Sequence, residues 1–182
     1  MSVLIVLYSL SINAQTTKVA DVQIPNQLTA GKEKIILNGA GIRVKYFMDI
    51  YVCGLYLSAK SNDPQKIIEA NNAMAIKIHI VSSLISSKKM QDAITEGFEK
   101  STNNNMTPLK SKIDQMISAF SEEIKVGDEY DIKYTIEDGT IIYKNNIKKT
   151  QITGFDFKKA LFGIWLGSEP ADDDLKVALL GK

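Results

Sequence analysis

The residue with the clearest chemistry in this sequence is Arg43, within the stretch NGAGIRVKYFMDIYVCGLYL that begins at Asn38. It is the only arginine, and every other basic residue is a lysine. A guanidinium is planar, permanently charged and carries five donors, so it can orient a phenolate, stabilise a developing enolate or hold a carboxylate. Tyr46 and Tyr51 follow in otherwise apolar surroundings. One charged donor beside aromatic side chains is typical of a small-ligand pocket.

Other chemistry is limited by the residue types available. Cys53 is the only cysteine, so an intramolecular disulfide and a cysteine-based metal site are not expected. His79 is the only histidine, so a catalytic triad and a histidine-rich zinc site are not expected either. We therefore predict no metal and no cofactor. The apolar run YVCGLYL favours a buried, inert Cys53. Alternation in AIKIHIV places Lys77 and His79 on one face of a strand, which predicts a solvent-facing or cross-strand histidine.

Length and charge favour one domain and exclude one class of partner. The chain has 182 residues, 45% of them hydrophobic, and Lys+Arg 22 against Asp+Glu 21 gives a net charge of +1. This is enough apolar material for a single core. No lysine-rich run is interleaved with aromatic residues, which argues against a nucleic-acid-binding protein. We expect a small amphipathic ligand as partner, and the oligomeric state stays open.

The first residues have the pattern of a secretory signal peptide. An apolar run from Val3 to Leu10 is followed by polar residues and by a small-residue site at Ala14 and Gln15. We predict a signal peptide over residues 1–15, a single domain over residues 16–182, and a periplasmic or secreted protein. No basic residue precedes Lys18, and the alternative is a buried N-terminal strand. The run is too short for a bilayer core, which needs about 20 apolar residues, so stable membrane insertion is not expected.

Strand-like segments surround Arg43. The run KIILNGAGIRVKYFMDIYVCGLYL is rich in Ile, Val, Tyr and Phe, which predicts an antiparallel meander. Asn38-Gly39 is a strong hairpin signal, and Asp49 is interpreted as the next turn. Gly41 is expected to leave the backbone free around Arg43.

Helices and a second group of strands follow. A short helix opens at Pro64, a strand covers residues 75–81, and an amphipathic helix covers residues 86–103. Another helix follows Pro108, and its apolar stripe is Leu109, Ile113, Met116, Ile117 and Phe120.

The last third begins with strands between residues 126 and 154, turning at Asp138-Gly139. A helix that buries Trp165 starts at a capping Asp156, and a final helix follows Pro170. The pattern predicts an α+β fold, an antiparallel sheet with helices packed on one face.

Three stretches together resemble the chalcone isomerase-like family, in particular its secreted bacterial branch. They are LNGAGIRVKYFMDIYVCGLYL, KIHIVSSLISSKKMQDAITEGF and ITGFDFKKALFGIWLGSEPADDDLKVALLG. GAGIR, GLYL and FKKALFGIWLG are the most specific pieces. The resemblance implies an open-faced β-sandwich with a ligand cleft between the sheet and the helices.

The resemblance implies two activities for such a cleft. Plant chalcone isomerases close a 2'-hydroxychalcone to a flavanone, whereas fatty-acid-binding members hold an acyl chain with its carboxylate at an arginine. Arg43 matches the arginine common to both. Tyr51 falls where the plant enzymes carry a threonine, and Met90, Ala93 and Gly97 fall where they carry tyrosine, lysine and asparagine.

None of the side chains of Met90, Ala93 and Gly97 can act as an acid or a hydrogen-bond donor. The position that tunes plant substrate preference falls around Gly163 or Ile164, both apolar. The sequence thus keeps the anionic anchor of the family and loses most of the polar wall around the plant substrate.

Three hypotheses follow for Arg43. In the first, the protein binds a fatty acid or phenolic anion in an apolar cleft whose residues are Arg43, Tyr46, Tyr51, Met90 and Phe98. In the second, an intramolecular lyase or isomerase closes a chalcone-like enone, with Arg43 stabilising charge and Tyr51 or Tyr46 as donor. In the third, Arg43 forms a buried ion pair with Asp49 or Glu33, and the cleft is packed shut.

Overall fold

The computed structural model describes residues 15–182, which form nine strands and five α-helices. The strands are β1 (Thr16–Val19), β2 (Val22–Pro25), β3 (Gln27–Ala30), β4 (Glu33–Lys45), β5 (Met48–Leu57), β6 (Met74–Ile80), β7 (Glu129–Thr135), β8 (Gly139–Lys144) and β9 (Ile147–Ile152). The helices are α1 (Pro64–Glu69), α2 (Ser87–Ser101), α3 (Lys110–Ser118), α4 (Phe155–Leu166) and α5 (Asp173–Leu179). The predicted signal peptide lies outside the described residues except for Gln15, so it stays a prediction.

One antiparallel sheet organises the molecule. Strands β3 to β9 pair in chain order in a seven-stranded sheet, and β1 and β2 form a separate hairpin. The main core lies between the sheet and the helices, where residues such as Ile78 and Ile132 belong to one buried cluster with Phe98 and Leu161. On the other face, Val22 and Ile24 of the small hairpin pack on the sheet. The predicted α+β architecture is confirmed.

The turns near Arg43 differ from the prediction. Asn38-Gly39 is not a hairpin turn, because both residues lie inside β4, and Asp49 lies inside β5. The chain reverses at Tyr46-Phe47 instead. The buried side chain of Asn38 donates to the carbonyl oxygens of Ser61 and Leu179 and accepts from the Ser61 N–H, so tertiary contacts override its turn preference.

The glycines before Arg43 allow a close approach of α5 to β4. A Cβ at Gly39 would lie 2.2 Å from the carbonyl oxygen of Ala178, and one at Gly41 would lie 2.7 Å from the Ala178 Cβ. The expectation that Gly41 frees the backbone around Arg43 is therefore wrong, because the missing side chain makes room for a helix.

The only cysteine and the only histidine of the sequence lie where the patterns predicted them. Cys53 is fully buried. His79 is partly exposed on the face opposite the helices, and its Nδ1 lies 3.3 Å from Oε1 of Glu129 on the neighbouring strand. No helix within residues 15–182 has the length and apolar character needed to span a membrane.

Lys158 in α4 is fully buried, which its place in FKKALFG did not indicate. Its Nζ donates to the carbonyl oxygens of Ile67, Ile68 and Ala70 at 3.0, 2.8 and 2.6 Å, at the C-terminal end of α1. Burial lowers the pKa of Lys158 to about 8. An ammonium has three donors, so the three carbonyls match the protonated side chain and tie α1 to α4.

Candidate functional site

A β-bulge presents Arg43 near the end of β4. Arg43 is paired with Tyr51 of β5, and the register shifts after it so that Val44 pairs with Asp49 and Ile50 is the extra residue. Bulges of this kind turn side chains away from the regular ladder. The guanidinium carbon lies 5.8 Å from the centroid of the Tyr51 ring, within the range of a cation–π contact.

The charge of Arg43 is not neutralised by a direct ion pair. Within residues 15–182 no carboxylate pairs with its guanidinium, so the hypothesis of an ion pair with Asp49 or Glu33 is wrong. Burial alone would lower the pKa of Arg43, but Tyr51 and the more distant carboxylates of Asp172 and Glu96 raise it above its ordinary value. The side chain is therefore a partly buried cation with donors left over.

Tyr51 supplies a second donor beside this cation. The residue is buried, and its phenol oxygen accepts a hydrogen bond from Nε1 of Trp165 at 3.2 Å. Burial raises the pKa of Tyr51 more than Arg43 lowers it, so the phenol stays protonated at neutral pH. No residue of the described chain accepts its proton. The hydroxyl hydrogen is therefore available to an acceptor outside the chain, either a water or a ligand.

Two adjoining cavities meet at this pair. The outer cavity has a volume of about 360 Å³ and opens between β4, β5 and α2. The inner cavity has about 20 Å³ and lies deeper between sheet and helices. Four residues line both, namely Arg43, Tyr51, Met90 and Ala93.

The two volumes define different capacities. A single water needs roughly 10–15 Å³ by the same kind of measure, so the inner cavity has room for about one. The outer cavity reaches the lower end of the range of small-ligand pockets, about 300–1,000 Å³. The hypothesis of a cleft packed shut thus describes the inner part and not the outer part.

The candidate residues from the sequence do not all come together. Arg43, Tyr51 and Met90 lie at the junction of the two cavities, and Tyr46 lies at the outer mouth, where it is 79% exposed. Phe98 is absent from the walls of both cavities. It is fully buried in the core, where its ring stacks on Phe157 at 5.6 Å.

The positions aligned with the plant catalytic residues do not all line the cavities either. Ala93 lines both cavities, whereas Gly97 lies in the contact of α2 with α4, where a Cβ would come within 2.7 Å of Ile164 Cγ2. Ile164 lines the inner cavity, and Gly163 faces Ser101 instead. Of the positions aligned with plant-enzyme residues, only some therefore line a cavity.

Several wall residues were not predicted as part of the site. Met116, Phe120 and Trp165 line the inner cavity, and they come from α3, the segment after it and α4. All three lie on apolar helical stripes that the sequence assigned to the core. The periodicity that marks a buried face is the same for core and cavity wall, so no separate signal distinguished them.

A curled antiparallel sheet, with a cavity between its helix-covered face and the helices, defines a fold able to enclose small molecules. The chain belongs to the chalcone isomerase-like family, which it matches over residues 16–181. No curated protein sequence matches it. The crystal structure of the fatty-acid binding protein AtFAP1 of Arabidopsis thaliana is similar, with a TM-score of 0.71 and 14% identity over 91% of this chain and 96% of that chain. At this identity the likeness shows a shared fold.

Proposed function

We propose that the protein binds a small amphipathic anion, a fatty acid in preference to a phenolic acid. The anionic head lies at Arg43 and Tyr51, and the apolar part lies in the adjoining cavities. The observation that carries the proposal is the pair itself: an arginine without an ion pair within residues 15–182, beside a buried phenol whose proton has no acceptor there. The fatty-acid binding of the structurally similar plant protein supports the same ligand class.

The geometry fits a carboxylate for electrostatic reasons. A carboxylate accepts bonds from the guanidinium and from the neutral Tyr51 phenol, and charge-assisted bonds of this kind are stronger than neutral ones. The Trp165 N–H holds the phenol oxygen, so the phenol hydrogen is left to donate to the ligand. The apolar side chains that line the inner cavity lower the local dielectric on that side of the pair, which strengthens both interactions.

The two cavities offer an acyl chain two binding positions. It can lie in the outer cavity along Met48, Ile50 and Ile85, or it can enter the inner cavity after Met90 and Met116 change rotamer. Methionine side chains are unbranched and adaptable, so such a change has a small energetic cost. A rigid phenolic ring system would use this narrow route less well than a flexible chain.

The enzyme hypothesis has weaker support. Orientation of a phenolate by Arg43 and Tyr51 fits ring closure of a chalcone, which is already intramolecular. However, the junction lacks an acidic or donor side chain on α2, because Met90 and Ala93 occupy it. An absorbance assay with naringenin chalcone tests this activity, and acceleration above the spontaneous rate that Arg43→Gln removes would support it.

The binding proposal is tested by titrating the purified protein with lauric acid and, as an uncharged counterpart, lauryl alcohol, by calorimetry. A hydrogen bond to a charged group contributes about 1.5–3 kcal/mol, so Arg43→Gln should weaken laurate binding roughly 10- to 150-fold. Tyr51→Phe should weaken it about 2- to 10-fold, since a neutral bond contributes about 0.5–1.5 kcal/mol. Lys34→Gln, which changes an exposed cation elsewhere on β4, is the matched control.

These measurements distinguish a site that recognises the anionic head group from a surface that binds only the apolar chain. Laurate bound more tightly than the alcohol, with a loss in Arg43→Gln and none in Lys34→Gln, supports the proposal. Equal affinities for acid and alcohol, or equal effects of the two substitutions, would overturn it.

We further propose that residues 1–15 are a signal peptide and that the mature protein is periplasmic or secreted, as in the secreted bacterial branch that the sequence resembles. The apolar run followed by Ala14 and Gln15 supports this. Intact mass of the protein expressed in a bacterium with its full N-terminus tests it. Loss of about the first 15 residues is the expected result, and an uncleaved cytoplasmic chain would contradict it.

A further inference from the structure

The turn between β4 and β5 carries a cluster of exposed apolar side chains, which we name the aromatic tip and define as residues 44–48. Phe47 is 102% exposed and Tyr46 79% exposed, and Val44 and Met48 beside them are 46% and 43% exposed. Large apolar side chains exposed singly are common in proteins. A contiguous exposed group marks an interaction surface more often.

The backbone of the tip makes these residue types unexpected. Tyr46 and Phe47 have φ values of 52° and 64°, in the left-handed region that asparagine and glycine tolerate best. The turn between β8 and β9 has nearly the same conformation, with φ values of 50° and 65°, and there the residues are Asn145 and Asn146. Folding of the hairpin therefore does not require aromatic side chains at the tip and is strained by them.

The tip stands at the mouth of the outer cavity. Tyr46 and Met48 line the cavity from the tip, and Leu84, which is 43% exposed, lines it from the segment before α2. A surface that receives the tip therefore also lies at the cavity opening, in line with Arg43 inside it.

The charges around the mouth favour an anionic partner. Lys45 and Lys89 line the mouth and have no ion-pair partner in the described part of the chain. The carboxylates that line it, Asp92 and Glu96, are each paired with a lysine four residues away in α2. Beside the tip itself, Asp49 is exposed and Asp172 accepts a hydrogen bond from the Val44 N–H at 3.3 Å, so carboxylates also lie near this turn. Among the side chains that line the mouth, those without an ion-pair partner in the described residues are thus positive.

We propose that the aromatic tip inserts into the surface of a lipid bilayer that contains anionic lipids, which places the cavity mouth against the membrane. Aromatic side chains favour the membrane interface, and lysines beside them reach the headgroups while their stems stay in apolar surroundings. The passage of an acyl ligand between membrane and cavity rests on the proposed function. The docking itself does not, and it is tested separately.

The test measures binding of the protein to vesicles by flotation, with vesicles of phosphatidylcholine alone and of equal parts phosphatidylcholine and phosphatidylglycerol. Phe47→Gly removes the most exposed aromatic side chain and puts glycine at a positive-φ position, so the fold should not be weakened. Phe47→Trp keeps an interfacial aromatic group. Ile136→Ser, which removes a 58% exposed apolar side chain from another turn, is the matched control.

The expected result is binding that is tighter to the anionic vesicles, at least about tenfold weaker in Phe47→Gly, and unchanged in Ile136→Ser and Phe47→Trp. Failure of the unaltered protein to bind either vesicle would overturn the proposal, as would equal loss in Ile136→Ser. Dimerisation in solution that Phe47→Gly abolishes, without vesicle binding, would assign the tip to a second copy of the chain instead.

Laurate titration separates this result from the proposed function. Phe47→Gly should keep its laurate affinity in solution, because Phe47 does not line the cavities, and Arg43→Gln should keep its vesicle binding. If Phe47→Gly loses vesicle binding and keeps laurate binding, the tip acts in membrane docking and not in ligand binding. If the unaltered protein binds vesicles but not laurate, the proposed function fails and the membrane docking stands.

Discussion

Replacing Gly97 with alanine tests how closely α2 and α4 pack beside the cavity. The new Cβ would lie 2.7 Å from Cγ2 and 3.1 Å from Cγ1 of Ile164, which is itself buried. Forcing an extra methyl group into a well-packed core costs about 1–3 kcal/mol. Replacing glycine by alanine inside a helix raises the free energy of unfolding by about 1 kcal/mol. We expect the free energy of unfolding to fall by about 1 kcal/mol, which lowers the melting temperature by roughly 2–4 °C in a domain of this size.

The partner side chain makes the prediction specific. Ile164→Val keeps both γ carbons, so it should not relieve the clash, whereas Ile164→Ala removes both and should. Urea unfolding of the single and double variants gives a coupling energy for each pair. We expect a favourable coupling of about 1–3 kcal/mol between Gly97→Ala and Ile164→Ala, and a value near zero with Ile164→Val.

Two results would refute this reasoning. One is an increase in stability of about 1 kcal/mol for Gly97→Ala alone, as expected for a helical glycine that faces solvent. The other is equal coupling of Gly97→Ala with Ile164→Val and Ile164→Ala, which would mean that the γ carbons do not set the contact.

Three further predictions concern stability. Lys158→Met should lower the free energy of unfolding in urea by about 1–3 kcal/mol, because buried carbonyls at the end of α1 lose their donor; no change would mean that water replaces it. Asp172→Ala should lower the same quantity by about 1 kcal/mol, because the side chain accepts from Leu175 N–H at the start of α5, and Asp172→Asn should retain most of it; equal losses would exclude a capping role. Burial alone would raise the pKa of Glu129, but the hydrogen bond from Lys77 helps to lower it below its ordinary 4.5. The stability this adds is present above pH 4.5 and is lost as the pH falls through the lowered pKa. Lys77→Met removes most of this contribution, so the fall of the urea midpoint below pH 4.5 should be smaller than in the unaltered protein, and an unchanged profile would contradict it.

The regular elements could be predicted because their signals are local. The helix expected over residues 86–103 is α2 (Ser87–Ser101), and the strand expected over residues 75–81 is β6 (Met74–Ile80). The hairpin at Asp138-Gly139 also forms, with Gly139 at a φ of 72°. In each case, side-chain periodicity or a left-handed glycine acts within a few residues of itself.

The errors arose where distant contacts outweigh local preference. Asn38-Gly39 has the composition of a turn, yet Asn38 binds a carbonyl group 141 residues away and remains in a strand. Tyr46-Phe47 has the composition of a strand, yet it forms the turn. Gly39 and Gly41 carry no turn at all, because what they accommodate is α5, the last helix of the chain.

For the site, the sequence by itself determined that Arg43 is a singular cation between strand-like segments, with Tyr46 and Tyr51 near it along the chain. Only the tertiary structure decided that Trp165 holds the Tyr51 phenol, that Met90 stands at the junction of the cavities, and that Phe98 belongs to the core. The physical reason is that an apolar helical stripe specifies burial but not what it is buried against. The bulge after Arg43 and the packing of α2 and α4 settle that choice.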